Sequence, residues 1–169
     1  IGYPKSNIIA IEPIARNYNY ILDFKSINNF KFKVINCCLG EREEITKMYI
    51  PYGNNSSIIS TSASLYNSFI GSKGLYSNLK YREEKVIMRK LDSILEENMD
   101  NISNENINYL IKVDCEGAEL EILKSTKLLE SNSVDLIVEI MIGDNDKNDI
   151  FNLLIQKGFD AYLMTPASL

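Results

Sequence analysis

The feature that most constrains the fold is a short apolar run that changes abruptly into acids, a glycine and a helix-forming pattern. The run covers residues 109–113 (YLIKV) and is followed by Asp114, Glu116 and Gly117. Its length is typical of a parallel strand buried on both faces, and the Ala, Leu, Glu and Lys residues after Gly117 favour a helix. Both acids are therefore predicted at the carboxyl end of a strand, where open α/β sheets bind ligands.

The acids around this glycine have two interpretations. Asp114, Glu116 and Glu119 lie at or before the first helical turn, and Lys124 and Lys127 lie near the end of the helix. This arrangement complements the helix dipole, so helix stability alone explains it. A carboxylate that directly follows a buried strand is costly to desolvate without a partner, however, so Asp114 is also a candidate functional residue.

Composition and charge exclude several classes of function. The chain has 169 residues, 45% of them hydrophobic, which suits one domain with a proper core. Its formal net charge of −5 gives no basic surface for nucleic acid. No apolar run approaches the roughly 18 residues of a membrane span, and no signal peptide is visible in this segment. The chain contains no histidine, so proton transfer must use Asp, Glu, Lys, Tyr or water.

The three cysteines indicate free thiols. Cys37 and Cys38 are adjacent and Cys115 is the third, which matches neither a disulfide framework nor a zinc site. Buried free thiols are typical of a reducing compartment, so we expect a cytoplasmic protein.

Strand and helix patterns alternate along the chain. We expect further strands at residues 7–13, 32–39, 134–141 and 159–164, and helices at residues 14–28, 91–99 and 146–157, the last closed by Gly158 as its C-cap. Residues 44–52 alternate in polarity and are expected to pair with residues 85–89. The predicted fold class is α/β, a three-layer sandwich with a mostly parallel sheet, in a single domain over residues 1–169.

Two further acids and one long polar tract stand out. Glu12 follows the first strand. In nucleoside-binding sheets an acid at this place accepts hydrogen bonds from ribose hydroxyls. The alternative is a solvated acid that precedes a turn. Glu139 interrupts the apolar end of another strand. It is a candidate base or substrate anchor if it faces Asp114, and otherwise it is an acid that emerges at the strand end. Residues 52–81 are rich in Ser, Asn, Gly and Tyr, which favours a partly ordered flap beside the substrate, or simple disorder.

The run from Ile111 to Glu119 (IKVDCEGAE) resembles the signature of the FkbM-type methyltransferases, which are S-adenosylmethionine-dependent enzymes with a Rossmann-like fold. Other segments follow in the order that such proteins show, and these are residues 9–13 (IAIEP), 36–40 (NCCLG), 56–58 (SSI) and 91–95 (LDSIL). The resemblance covers most of the chain and is weakest over residues 59–85.

The resemblance implies methyl transfer from S-adenosylmethionine, most often to a hydroxyl oxygen of a sugar or secondary metabolite. The cofactor-binding residues that it implies are Glu12, Pro13, Cys38, Leu39 and Asp114. Glu12 would hold the ribose, and the turn after Cys38 would lie near the adenine. One of Asp114, Glu116 and Glu139 would take the hydroxyl proton. No metal ligands are assigned, although a divalent ion held by these acids is an alternative way to activate the hydroxyl.

The sequence departs from the family pattern at its N-terminal end. The first strand and the glycine-rich turn that holds the methionine part of the cofactor should precede Glu12, whereas residues 1–4 read as the tail of the next helix. We therefore expect a partial domain that binds the cofactor weakly by itself. Two other functions stay open: a dinucleotide-dependent oxidoreductase, which a G-x-G-x-x-G turn upstream would favour, and a non-catalytic binding or assembly domain. The acceptor and the oligomeric state cannot be read from the sequence.

Overall fold

The structure, a computed structural model, describes residues 7–52, 62–66, 80–99, 107–131, 133–140 and 146–164. The strands in these ranges are β1 (Ile9–Ile11), β2 (Lys33–Ile35), β3 (Cys38–Leu39), β4 (Glu44–Tyr52), β5 (Lys80–Arg89), β6 (Tyr109–Val113) and β7 (Val134–Val138). The α-helices are α1 (Ala15–Ile27), α2 (Leu91–Met99), α3 (Glu119–Ser125) and α4 (Lys147–Gln156), and a 3₁₀ helix covers Lys127–Glu130. No helix in the described ranges has both the length and the apolar character needed to cross a membrane.

The strands form three small sheets. β1 pairs with β2 and β6 pairs with β7, both in parallel, while β5 lies between β3 and β4. β3 is parallel to β5, but β4 is antiparallel to it and makes the longest pairing of the three sheets. The mixed α/β class is confirmed. The described strands are not joined into one mostly parallel sheet, because β1, β2 and β3 are too short to carry more than a few ladder hydrogen bonds each.

The predicted continuous strand at residues 32–39 is wrong, because the backbone turns between β2 and β3. Cys37 is buried, and its N–H donates to the Ile35 carbonyl at 3.2 Å, which closes a tight turn. The Asn36 side chain donates to the carbonyls of Glu12 and Pro13 at 2.8 and 3.0 Å. These bonds hold Asn36 against the chain after β1, and β2 and β3 on either side of it enter different sheets.

The predicted helices are present, and two of them end in the same way. In α1 the turn passes through Asn29 at φ 52°, and in α4 it passes through Gly158 at φ 85°. After α4 the N–H of Gly158 donates to the Ile155 carbonyl, and the next N–H donates to the Leu154 carbonyl, both at 3.0 Å. These paired bonds are those of a Schellman turn, which confirms that Gly158 ends the helix.

The strand expected at residues 159–164 is wrong. The structure assigns no strand there, and Tyr162 and Leu163 are each 86% exposed. An apolar pattern forms a strand only when a neighbouring strand supplies hydrogen-bond partners, and among the described residues none pairs with this segment.

The pairing of residues 44–52 with residues 85–89 is confirmed, and it is antiparallel; β5 begins five residues earlier than expected. The other edge of β4 pairs with Ser64 through two backbone hydrogen bonds to Tyr49, at 2.8 and 3.0 Å. Of the tract at residues 52–81 that was expected to form a flap, most lies outside the described residues. The described piece, residues 62–66, is attached to the sheet.

Two hydrophobic clusters fill the interior. The first cluster consists of Ile14, Cys38, Met48, Ile50, Ala63, Val86 and Met88. The second is built on Val113, Leu123, Leu129 and Ile150. Polar contacts also hold the helices: the Asp92 carboxylate in α2 accepts the Thr126 hydroxyl at 2.5 Å and the Lys127 N–H at 3.0 Å. These bonds attach the start of α2 to the segment that follows α3.

Gly40 packs directly against the first cluster. A Cβ at this position would lie 2.5 Å from the Met88 sulfur, and Met88 is buried. We expect Gly40→Ala to lower the free energy of unfolding by about 1–3 kcal/mol through overpacking. Chemical denaturation of Gly40→Ala, Met88→Ala and the double variant would measure the coupling, and Met88→Ala should recover part of the loss.

Gly158 provides the matched control. A Cβ there would meet no atom within 4 Å, but its positive φ makes alanine cost roughly 1 kcal/mol. Because this cost is conformational, Met88→Ala should not change it. Additive effects at Gly40 as well would contradict the close contact.

Candidate active site

The loop between β6 and α3 turns through two residues in left-handed conformations, Glu116 at φ 51° and Gly117 at φ 103°. The Glu119 carboxylate holds this turn, because its two oxygens accept the N–H groups of Cys115 at 2.8 Å and Gly117 at 2.9 Å. Glu119 is only 4% exposed. Its place in the first helical turn suits the helix dipole, but its main contacts are with the loop before the helix.

Glu116 has the most perturbed titration of the acids in this loop. Burial is the main cause that raises its pKa to about 7, and the charges of Asp114, Glu119 and Glu139 add to the effect. Its own carbonyl accepts a hydrogen bond from the Ser64 hydroxyl at 2.7 Å. The loop therefore presents a carboxyl group that gains and loses its proton near neutral pH.

Asp114 and Glu139 are joined through one lysine. The Lys112 ammonium lies 2.5 Å from the Asp114 carboxylate and 3.8 Å from that of Glu139, while the Glu139 N–H donates to the Val113 carbonyl. The structure thus brings together the three acids predicted as catalytic, Asp114, Glu116 and Glu139. Their catalytic roles stay a prediction.

The environment of β6 differs from the predicted one. Leu110 is 71% exposed and Lys112 is also exposed, so the prediction of a strand buried on both faces is wrong. The Asp114 side chain is 39% exposed and is paired with Lys112. Its carboxylate is therefore neutralised by a neighbour on the same strand, and the desolvation argument for Asp114 does not apply. Leu110 and Lys112 are two residues apart and therefore project from the same face of β6, which is open to solvent.

Glu12 lies at the carboxyl end of β1, as predicted. Its carboxylate accepts the Ile14 N–H at 2.8 Å, which holds the turn that leads into α1. Burial raises the pKa of Glu12, and the hydrogen bonds from Ile14 and Asn17 oppose that rise. Among the described residues, no hydrogen bond or ion pair joins Glu12 to Asp114 or Glu116. Among the described residues, Glu12 therefore has no direct polar contact with the acids of the loop after β6.

Cys38, the predicted adenine contact, lies in β3 and is buried. It packs with Ile14 in the first cluster, and its thiol donates to the Ile87 carbonyl at 3.5 Å. Leu39, the next residue, is partly buried. The Cys115 thiol is near enough to Cys38 to interact with it electrostatically. Cys38 therefore packs beside Ile14, the residue that precedes α1.

All three cysteines have free thiols, as expected. Burial raises the pKa of Cys37 and of Cys115 to about 11 and that of Cys38 to about 12. These thiols stay protonated at neutral pH and are poor nucleophiles.

Two residues of the site carried no signal in the sequence. The Ser64 hydroxyl bonds to the loop at Glu116, and the Tyr66 hydroxyl donates a short hydrogen bond to the Glu121 carboxylate. Ser64 and Tyr66 lie in the polar tract that lacks a hydrophobic period. Hydrophobic periodicity describes which face of a single helix or strand is buried. It therefore could not predict contacts with a loop and a helix that lie more than fifty residues later in the chain.

Replacement of Glu119 should be costly for the fold. Glu119→Ala removes two charge-assisted hydrogen bonds from backbone N–H groups, so we expect the free energy of unfolding to fall by about 2–4 kcal/mol. Glu130→Ala, which removes an exposed ion pair with Lys157, should cost less than about 1 kcal/mol. Urea denaturation at pH 7 measures both, and equal small losses would contradict the role of Glu119.

Ionisation of Glu116 should make stability depend on pH. Because its pKa is raised from 4.5 to about 7, the folded protein holds a proton that the unfolded chain has released in this range. Stability therefore falls as the pH rises through the window, and the loss is complete above about pH 8.

Glu116→Gln removes this ionisation. We expect its stability relative to the wild type to increase between pH 4.5 and pH 8 by about 1–2 kcal/mol, a value reduced for solvent screening of this half-exposed group. Thermal or urea denaturation across that range measures the difference. A difference that is constant with pH would contradict the raised pKa.

The sequence profile of the Methyltransferase FkbM domain matches residues 3–161, which is nearly the whole chain. Searches of curated proteins and of solved structures found no significant match. The matched region includes both ends of the site, from Glu12 after β1 to the acids around Gly117. The chain therefore belongs to the FkbM methyltransferase family, whose chemistry is methyl transfer from S-adenosylmethionine.

Proposed function

We propose that the protein transfers a methyl group from S-adenosylmethionine to a hydroxyl oxygen of a small molecule or saccharide. The observation that carries this proposal is Glu116, a carboxyl group whose pKa is raised to about 7 within the family's signature loop. A hydroxyl must lose its proton as it becomes an ether, and a base that titrates near the working pH accepts that proton efficiently. The chain has no histidine that could act instead.

The parallel pairings of β1 with β2 and of β6 with β7 support a Rossmann-like arrangement for the domain. Glu12 follows β1 and Asp114 follows β6, so both acids stand at the carboxyl ends of parallel strands. Ligands of Rossmann-like sheets bind at these ends. The antiparallel pair of β4 and β5 would then be an addition beside the parallel strands.

The residues at these strand ends fit the cofactor in chemical character. Glu12 is a partly buried carboxylate that accepts hydrogen bonds from the Ile14 N–H and the Asn17 side chain, and its remaining lone pairs are acceptor sites for ribose hydroxyls. Cys38 and Leu39 offer apolar contact to an adenine ring. Asp114 can attract the ammonium group of the cofactor, in competition with Lys112. When bound, the cofactor would supply an electrophilic methyl group whose leaving group is a neutral thioether.

The acids after β6 and β7 divide the remaining tasks. Glu116 accepts the proton from the acceptor hydroxyl, and Asp114 and Glu139 orient the acceptor through further hydrogen bonds. Lys112 limits the repulsion among them, since it lies within 4 Å of both Asp114 and Glu139. Among the described residues, no three acidic or thiol side chains converge as metal ligands, and the proposed steps use side chains alone.

Titration calorimetry separates this function from its alternatives. S-adenosylhomocysteine and NAD⁺ would each be titrated into the protein expressed from its complete reading frame. Binding of S-adenosylhomocysteine alone supports the proposal. Binding of NAD⁺ alone would favour a dinucleotide-dependent oxidoreductase, and binding of neither would favour a non-catalytic binding or assembly domain.

Glu12→Ala should weaken the binding of S-adenosylhomocysteine by about tenfold or more, because a charged acceptor of ribose hydroxyls is lost. Glu84→Ala is the matched control. The Glu84 carboxylate accepts the Ala15 N–H at 3.3 Å at the start of the same helix, but Glu84 lies in β5 and not after β1. Its removal should change binding less than about twofold. Equal losses in the two variants would assign the effect to helix capping.

A further inference from the structure

Ser64 is a fully buried hydroxyl residue with a complete set of hydrogen bonds. Its side chain donates to the Glu116 carbonyl at 2.7 Å and accepts the Tyr66 N–H at 3.1 Å. Its backbone makes both of its bonds with Tyr49 in β4. The residue is 0% exposed, so water cannot replace these partners. The position of the hydroxyl is therefore set by the three-stranded sheet.

Glu116 needs such a contact because of its backbone conformation. A residue with a Cβ at φ 51° is strained by about 1 kcal/mol, and surrounding contacts must hold it there. Glu119 bonds to the N–H groups on either side, but it belongs to the helix that the same loop enters. Ser64 contacts Glu116 itself, from a segment distant in the sequence. It therefore fixes the loop relative to the first hydrophobic cluster.

We propose that Ser64 is a positioning residue for Glu116, holding it where its carboxyl group can accept the acceptor's proton. The catalytic part of this inference rests on the proposed function. A second contact supports the first, because the Tyr66 hydroxyl donates to the Glu121 carboxylate in α3. Residues 62–66 thus attach the sheet to both the loop and the helix that follows it.

The charges around Glu116 determine how its pKa would change if the hydrogen bond from Ser64 were lost. Asp114 and Glu119 lie in or next to its own loop, Glu139 follows β7, and Lys112 in β6 neutralises part of this negative charge. Loss of the Ser64 bond would let the loop relax toward solvent. The Glu116 carboxylate would then gain hydration and move away from the other acids, and both changes lower its pKa.

The test is a ¹³C NMR titration of the Glu116 side-chain carboxyl, together with the pH dependence of kcat for methyl transfer. In Ser64→Ala we expect the Glu116 pKa to fall by about one pH unit or more. The rise of kcat should move to lower pH by the same amount, with a loss of about fivefold or more in kcat and little change in the KM for S-adenosylmethionine.

Two further variants separate positioning from general stability. Ser64→Cys has a similar shape but a weak donor, so it should behave like Ser64→Ala in the titration. Ser125→Ala removes a hydroxyl that donates to the Ile122 carbonyl at 3.0 Å in α3, and it should leave the Glu116 titration unchanged. If Ser64→Ala does not fold, Ser64→Cys decides the question.

The outcomes distinguish the two proposals. A wild-type titration of Glu116 in Ser64→Ala or Ser64→Cys would overturn the positioning role even if the enzyme transfers methyl groups. A lowered pKa in both variants supports it, and this readout does not need activity. Absence of methyl transfer by the wild type, with the titration shifted in the variants, would overturn the proposed function and leave the structural effect of Ser64 on Glu116 in place.

Discussion

The site depends on one carboxylate that bonds to two backbone N–H groups. Between β6 and α3 the chain must turn through two left-handed residues, and only one of them, Gly117, is a glycine. Glu119 stabilises this turn from inside, through short bonds to the N–H groups of Cys115 and Gly117. Charge-assisted bonds of this kind are worth roughly 1.5–3 kcal/mol each, which offsets the strain at Glu116. The start of α3 and the exposure of the acids follow from that turn.

The described residues form two hydrophobic clusters, and polar contacts determine how they meet. The bond from Ser64 to the Glu116 carbonyl connects the segment that contributes Ala63 to the first cluster with the loop whose Cys115 packs against the second. Hydrophobic contact is not directional, whereas a buried hydrogen bond requires one distance and one orientation. The polar contacts therefore set the geometry of the junction, and the candidate active site is located there.

The electrostatics of the site follow from having more acids than bases. Asp114 and Glu139 share the Lys112 ammonium. The pKa of Glu116 is raised by burial and by three neighbouring acids, and no cation among the described residues offsets that rise. Burial and like charge then favour its protonated form, so it titrates near neutrality. An FkbM family member without histidine thereby has a group suited to accept a proton, made from an ordinary carboxyl by its surroundings.

Local patterns in the sequence determined the extent of β6, α1 and α2, the pairing of β4 with β5, and the grouping of acids around Gly117, because each depends on near neighbours or on a strong period. Tertiary structure alone decided the rest. The turn at Asn36 depends on carbonyls more than twenty residues away, and the contact of Ser64 with Glu116 spans 52 residues. Residues 159–164 have a strand pattern without a strand, since pairing needs a partner that their own sequence cannot supply.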